Sequence, residues 1–356
     1  MSNKYYIIPI FVPHRGCPHD CVFCNQKKIT GSLKDITYED VVETINTYLD
    51  TIDRENSYIE VSFFGGSFTG IPMEYQNRLL KAAKEAYDEG KIHAIRLSTR
   101  PDYIDRDILD NLKRYSVGVI ELGVQSMDDE VLIASERGHS PKDVMEAAKL
   151  IKEYDFKLGL QMMVGLPKDN QNKDIYTAEE LIKLKPDFVR IYPALVIKDT
   201  YMEQMYQNGE YKPLTVDEAV EICKEAYKRF TRNGIKIIRI GLQPTEQINL
   251  GRDVVAGPFH PAIRELVESS LLNDMMGYCI EKFFSDSKEI TVNVSPKDIS
   301  RLYADKKRIF YNKKSMFTSK VIHIRQNSCL NSMQLLLEND ENKKTMSIIE
   351  YINITC

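Results

Sequence analysis

Short apolar runs rich in β-branched and aromatic residues alternate along the first two thirds of the chain with longer segments whose apolar positions recur every three to four residues. The runs "YYIIPIFV", "YIEVSFF", "HAIRLST", "VGVIELGV", "KLGLQMMV" and "DFVRIYP" read as strands. Between and after them, "TYEDVVETINTYLD", "MEYQNRLLKAAKEAYDEG", "RDILDNLKRYS", "PKDVMEAAKLIKEYD", "TAEELIKLK" and "TVDEAVEICKEAYKRF" read as helices. Strict alternation predicts an α/β fold with a parallel sheet and helices packed outside it. Six such units fit a partial (β/α)6 TIM-like barrel better than a full eight-stranded one, with an open doubly wound sheet as the alternative. We expect this barrel to occupy residues 1–243 and a small C-terminal α+β domain to occupy 244–356.

Each predicted strand ends in an unusual motif. The cysteine cluster "RGCPHDCVFC" follows the first, "GGSFTG" the second, "STRPDYI" the third, "GVQS" the fourth, "GLP" the fifth and "YPALV" the sixth. In parallel α/β architectures chemistry sits beyond the carboxyl ends of the strands. These six loops therefore converge on one rim.

Composition narrows what that rim can hold. The chain has 356 residues, 43% of them hydrophobic, enough for a full-sized core. Its seven cysteines are an odd number, and the crowding of Cys17, Cys21 and Cys24 argues against a disulfide framework. No segment approaches the roughly 20 apolar residues of a membrane span, and the N-terminus lacks the apolar run of a signal peptide. The expectation is a cytoplasmic protein that contacts no membrane. Net charge is -4, from 48 basic and 52 acidic residues, so the overall balance points to no particular partner. Its distribution is uneven. Between Lys297 and Arg325, nine basic residues (Lys297, Arg301, Lys306, Lys307, Arg308, Lys313, Lys314, Lys320, Arg325) face two acidic ones, Asp298 and Asp305. Tyr303, Phe310, Tyr311 and Phe317 interleave with them, a combination suited to phosphate contacts and base stacking. A solvated helix face with a core-facing aromatic stripe has the same pattern.

Cys17, Cys21 and Cys24 have the spacing CxxxCxxC in a loop with Gly16 and Pro18. Thiolate softness selects zinc, copper or iron-sulfur. Zinc completed by His14 or His19 is one solution; a four-iron cluster with three of its irons held, leaving an open position on the fourth, is the other.

CxxxCxxC with Phe23 before its last cysteine resembles the signature of the radical S-adenosylmethionine (SAM) superfamily. The resemblance implies that Cys17, Cys21 and Cys24 hold a 4Fe-4S cluster whose unique iron binds SAM. One electron, from a donor such as flavodoxin or ferredoxin, then cleaves SAM to methionine and a 5'-deoxyadenosyl radical. It also implies SAM contacts at Gly65, Gly66 and Ser67 of "FFGGSF", where two glycines let backbone approach a ligand. Standing alone, that motif reads first as a tight turn between strand and helix. The stretches "ELGVQSMDDEVLIASERGHS", "MMVGLP" and "VRIYPALVIKDT" resemble the radical SAM half of the Elongator catalytic subunit, which modifies wobble uridines of tRNA. This resemblance runs from about residue 7 to about residue 230 and implies SAM contacts at Gln125, Arg137 and, at the fifth strand's end, Gln161. Gln161 stands where some relatives carry an acidic residue. Residues 245–356 show no acetyltransferase pattern, so carboxymethyl transfer is unsupported.

The reading is a radical SAM enzyme acting on RNA, with tRNA as the favoured class. Tyr192, with Pro193, is expected to line the substrate pocket, and Lys306, Lys307 and Arg308 to contact substrate. His260 is a further substrate candidate, its alternative being a histidine that holds a turn. A small-molecule or tetrapyrrole substrate is the alternative within the same chemistry, because porphyrinogen-oxidising relatives share "GVQS" and "GLP". A zinc-stabilised RNA-binding protein without catalysis is the alternative outside it. Cys223 and Cys279 fall on helical apolar faces and read as buried structural thiols.

Overall fold

The computed structural model describes residues 4–12, 21–25, 35–242 and 248–356. Its main sheet contains β1 (Lys4–Val12), β2 (Ser57–Gly65), β3 (Ala94–Thr99), β4 (Val117–Gln125), β5 (Lys157–Val164) and β6 (Phe188–Pro193). A two-stranded ribbon follows, pairing β7 (Val196–Ile197) with a later strand, and β8 (Lys236–Ile240) then returns to the main sheet. All seven strands are parallel and lie in chain order, β1-β2-β3-β4-β5-β6-β8. A doubly wound sheet would reverse its order at a switch point. Here the order never reverses, so the sheet curls one way into a half-barrel. The seventh strand, "KIIRI", adds one to the six expected from sequence.

Helices α1 (Tyr38–Leu49), α2 (Met73–Asp88), α3 (Arg106–Arg114), α4 (Asp129–Ala134), α5 (Pro141–Glu153), α6 (Gln171–Lys183), α7 (Tyr201–Gln207) and α8 (Val216–Arg232) follow the strands in turn. Those returning the chain to the next strand start at the strands' carboxyl end. Their first turns are closed by side-chain caps such as Thr37, Asp105, Ser140, Asn170 and Thr215. Period-2 alternation splits each strand between two environments. Ile8, Ile10, Ile59, Val61, Phe63, Ile95, Leu97, Ile120, Leu122, Leu158, Leu160, Val189 and Ile191 are buried against the helices. Each such side chain contributes about 1.5–3 kcal/mol on burial.

The opposite face is polar and charged. Arg96 Nε donates to Glu60 at 3.0 Å, and its Nη1 to Glu121 at 2.7 Å. Arg190 Nε donates to the other Glu121 oxygen at 2.8 Å. Gln161 Nε2 donates to that same oxygen at 3.1 Å. Glu121 is 0% exposed, and both of its oxygens are engaged by guanidiniums. Gly159 leaves the room: a Cβ there would lie 2.8 Å from Glu121 Cγ.

Beyond the half-barrel, β9 (Val254–Ala256) is the partner of β7, and α9 (Ile263–Phe283) runs alongside α8. Lys224 of α8 donates to Asp274 of α9 at 2.7 Å. After β10 (Glu289–Val294) come α10 (Ile299–Leu302), α11 (Arg308–Lys314), β11 (Val321–Gln326), β12 (Gln334–Glu338), β13 (Lys343–Ser347) and α12 (Ile348–Thr355). The strands form a second sheet in the order β11-β10-β12-β13, mixed in direction, as expected for an α+β element. Cys223 and Cys279 are both 0% exposed, and burial pushes the Cys279 thiol up to about 12.

The C-terminal aromatic stripe takes the core-facing one of its two sequence readings. Phe310 and Phe317 are buried in the core, and Tyr303 packs edge-on against Phe310 with centroids 5.0 Å apart. Of the four aromatics, Tyr311 is the exposed one. Their spacing of seven residues between Phe310 and Phe317, two helical turns, is that of a core face.

Candidate active site at the strand ends

The loop after β1 docks across the rim. Cys24 N donates to the Cys21 carbonyl at 2.8 Å, turning the chain tightly between the two thiols. Val22 N donates to the Ser135 carbonyl at 3.2 Å, and Met202 N to the Val22 carbonyl at 2.7 Å. Asn25 Nδ2 reaches the Lys198 carbonyl at 3.1 Å. The loop is thus tied to the segments following β4 and β6. Cys21 is 4% exposed, and Cys24 is half-buried. Cys17, His14 and His19 lie outside the described residues.

Two cations face Cys21. Arg137 Nη1 lies 3.2 Å from its Sγ, and Arg100 Nη1 lies 3.9 Å from it. Arg137 Nη2 also donates to the Gly123 carbonyl at 2.5 Å, which fixes the guanidinium against the end of β4. Arg100 is held by Asp102 through two bonds of 2.9 Å, and its Nη2 also donates to the Arg137 carbonyl. Two guanidiniums thus point at one buried sulfur.

His139 completes the layer from below. Its Nε2 lies 3.1 Å from the Val124 carbonyl, where a neutral imidazole donates. Burial first, then the Arg137 and Arg100 charges, pushes its pKa down to about 3.

The glycine pair sits beside the loop. Gly65 has φ +107°, and a Cβ there would lie 2.5 Å from the Val12 carbonyl oxygen. No side chain fits. Gly66 N donates to that same oxygen at 3.3 Å, and buried Ser67 leads into the turn Phe68–Gly70. Gln125 ends β4 with φ +70° at a break in the β4-β5 register. A left-handed conformation at a non-glycine residue is strained, and such strain gathers at ligand sites.

Several buried polar atoms here have no hydrogen-bond partner among the described residues: Gln125 Oε1, Arg137 Nε and His139 Nδ1. Such atoms cost free energy unless something satisfies them. A buried soft thiol between cations, a glycine cradle and orphaned polar groups fit an anionic iron-sulfur cluster with a polar ligand above it.

The structure brings together Cys21, Arg137 and Gln125, with the Gly65-Gly66-Ser67 turn two strands along the rim, after β2. Gln161 is different: β5 continues to Val164, so this residue lies inside the half-barrel on Glu121, not at the strand's end. Tyr192, near the end of β6, is half-buried, beside Arg190. His260 Nδ1 accepts from Ala262 N at 3.1 Å and holds the entry to α9. Arg308 is held by Asp217, at 2.6 and 3.1 Å, and by Asp305 at 2.5 Å, whereas Lys306 and Lys307 are exposed. Sequence reasoning missed Arg100, His139 and the Glu121-Arg190-Arg96 network. Arg100 stands in the "STRPDYI" loop, and Glu121 and Arg190 are lone charges within apolar runs.

Comparison with known proteins agrees with this architecture. The sequence family described as the radical SAM superfamily matches residues 11–181, and the radical SAM C-terminal domain matches residues 186–273. The chain belongs to the radical SAM superfamily. It is similar to the tRNA uridine(34) acetyltransferase of Methanocaldococcus jannaschii, at 27% identity over 62% of this chain and 48% of that one. Elongator complex protein 3 of Schizosaccharomyces pombe is 30% identical over 59% of this chain and 46% of that one. The chain spans about half the length of these relatives. Archaeal Elp3 from Methanocaldococcus infernus shares the fold, with a TM-score of 0.61 and 23% identity over 80% of this chain and 68% of that one. Among the described residues, no helix is long and apolar enough to cross a membrane.

Proposed function

We propose that the protein is a SAM-cleaving enzyme that acts on RNA, with tRNA as the substrate class. The observation that carries the chemistry is Cys21, buried and faced by Arg137 and Arg100, beside a rim whose Gln125 Oε1 is buried without a partner. Cys17, Cys21 and Cys24 would hold a 4Fe-4S cluster, which, once reduced by an external one-electron donor, would supply reductive cleavage of SAM to methionine and a 5'-deoxyadenosyl radical. The chain's own residues do the rest. Gly65 and Gly66 offer a backbone edge without side chains, and Gln125 and Arg137 supply polar contacts at the end of β4. Residues 21–25, bonded to the segments after β4 and β6, would hold Cys21 and Cys24 in place.

RNA as substrate is supported by the names of the relatives that act on tRNA uridine and by exposed cations of the C-terminal region. Arg308 ties that region to Asp217 in the first turn of α8. Because α8 returns the chain from β6 to β8, its first turn lies at the carboxyl end of the strands. Lys306 and Lys307 accordingly sit on the same end of the molecule as the rim.

The test is 5'-deoxyadenosine formation by anaerobically reconstituted, reduced protein given SAM, with and without bulk bacterial tRNA. Turnover that rises with tRNA is the expected result. Cleavage indifferent to tRNA would move the substrate to small molecules, and no cleavage from an intact cluster would sink the enzymatic reading.

A further inference from the structure

Behind the cysteine loop lies a buried carboxyl pair that the proposed chemistry does not use. After β5 the chain turns through Gly165, Leu166, Pro167 and Lys168, and Asp169 N closes the turn on the Leu166 carbonyl at 3.0 Å. Gly165 has φ +75°, and a Cβ there would lie 2.4 Å from Leu214 Cδ1. Its peptide group is gripped from both sides. Gly165 N donates to Asp174 Oδ1 at 3.3 Å, and its carbonyl accepts from the Tyr211 hydroxyl at 2.6 Å. Asp174 is 1% exposed and Tyr211 7%.

The second oxygen of Asp174, Oδ2, is buried without a donor among the described residues, and the side chain bonds to the carboxyl of Asp169. Two carboxyl groups bond to each other only through a hydrogen that one of them carries. Burial first, then the Asp169 charge, pushes Asp174 up to about 10, while burial pushes Asp169 up to about 6. Burial and mutual repulsion both favour a proton held between the two carboxyls. The surrounding groups do not displace it. Asp128 adds negative charge near Asp169, and Lys173 is engaged by Asp128 at 3.1 Å and Glu130 at 2.6 Å. Cys223 faces Asp174 from α8 with its thiol pushed up by burial, and burial likewise raises Tyr211. Among the described residues, neither Asp169 nor Asp174 forms an ion pair with a lysine or arginine.

The turn held in this way carries Leu166, 2% exposed, into a small apolar cluster with Tyr211, Met202 and Val22, separate from the main core. Val22 lies between the two described cysteines of the loop, and Phe23 packs against the same cluster. We propose that Asp174 is a positioning residue of the cysteine loop: with Tyr211 it fixes the Gly165 peptide, and through Leu166 it fixes the surface on which Val22 rests. The clamp stands on its own geometry; its consequence for cluster binding rests on the function proposed above.

An acid whose folded pKa is raised contributes stability below the ordinary carboxylate range, and that contribution is lost as pH climbs toward the folded value. Asp174→Asn keeps an acceptor for Gly165 N and supplies an amide hydrogen to Asp169 without titrating. Asp174→Ala removes both. Hydrogen exchange on the full chain without cluster, at about pH 7 and about pH 9 and corrected for intrinsic rates, reads the clamp. Peptides covering Gly165–Leu166 and Val22 should lose protection together in the wild type as pH rises, stay protected in Asp174→Asn, and exchange roughly tenfold faster in Asp174→Ala at both pH values. Iron bound after anaerobic reconstitution should fall in the alanine variant and not in the asparagine one. Asparagine behaving like alanine, an asparagine pH profile identical to wild type, or loosening of the turn with the Val22 peptide unchanged would each overturn the proposal. Absence of SAM cleavage in every variant would sink the proposed function and leave the exchange result to decide the clamp.

Discussion

Arg137 and Cys21 lie 116 positions apart in sequence, yet the Arg137 guanidinium reaches the buried Cys21 sulfur at 3.2 Å while its other arm holds the Gly123 carbonyl. One side chain thereby couples the end of β4 to the cysteine loop. A lysine ammonium is a point charge and does not reproduce that two-armed geometry. Arg137→Lys should therefore retain the charge and lose the fixed position, and Arg137→Gln should lose both. We expect Arg137→Gln to cost about 1–3 kcal/mol, since it strips partners from buried acceptors, and to lower iron retention more than the lysine variant. Urea unfolding and iron content after reconstitution check both expectations.

Gly65 and Gly90 separate two costs of adding a methyl group. Both have positive φ, +107° and +67°, but a Cβ at Gly65 would meet the Val12 carbonyl at 2.5 Å, while one at Gly90 meets nothing within 4 Å. Gly90→Ala should cost only the conformational penalty, roughly 1–2 kcal/mol. Gly65→Ala should exceed it by about 1–3 kcal/mol and weaken SAM binding, because the clash pushes apart β1 and β2 where the loop begins. Denaturant midpoints and equilibrium dialysis with SAM measure the two effects.

What could be read from the sequence was what depends on local pattern. Apolar alternation made six strands legible, and the loops after them located the rim. The seventh strand was missed because "KIIRI" is short, directly follows "RNG" and is only half-buried on one face. Glu60, Arg96, Glu121 and Arg190 were each visible as a charge inside an apolar run. Their pairing was not, because it depends on strand register, a tertiary property. Arg100 was hidden for the same reason: nothing local links it to Cys21, 79 positions away. In "KDNQNKD" nothing local marks Asp169 and Asp174 as a pair; burial of Asp174 is a tertiary property. The aromatic stripe left two readings open, and only burial of Phe310 and Phe317 in the core decides between them.

His139 gives the site a dependence on acid. Its folded pKa, about 3, is below the ordinary histidine value because burial and two neighbouring guanidiniums oppose a charge. The unfolded chain therefore binds a proton that the folded one does not, between the ordinary histidine range and the folded value. Its contribution to stability is fully present above the ordinary range and is lost as pH falls, at about 1.4 kcal/mol per pH unit. His139→Gln, which can donate to the Val124 carbonyl without titrating, should flatten that slope. Unfolding free energies of the two proteins measured between about pH 7 and about pH 4 should diverge from parallel, and parallel curves would contradict the assignment.

Lys306, Lys307 and Arg308 are adjacent in sequence but differ in what their charges do. Arg308 is bound to Asp217 and Asp305, and those bonds push its pKa upward. Lys306 and Lys307 are exposed on a turn in which Asp305, Lys306 and Lys307 all have positive φ, and Lys307 lies 4.7 Å over the Tyr303 ring. An arginine already paired with two carboxylates releases few counterions when RNA binds; exposed lysines release more. Reversing Lys306 and Lys307 to glutamate should therefore weaken tRNA binding and lower the salt slope by about 0.7–0.9 for each phosphate no longer neutralised. Reversing Arg308 should instead detach α11 from α8, seen as a lower unfolding midpoint, with little change in slope at temperatures where the protein stays folded. Filter binding across a salt series, with thermal unfolding of the same variants, separates the two effects. Equal salt slopes for the wild type and the lysine double variant would move the RNA surface away from this turn.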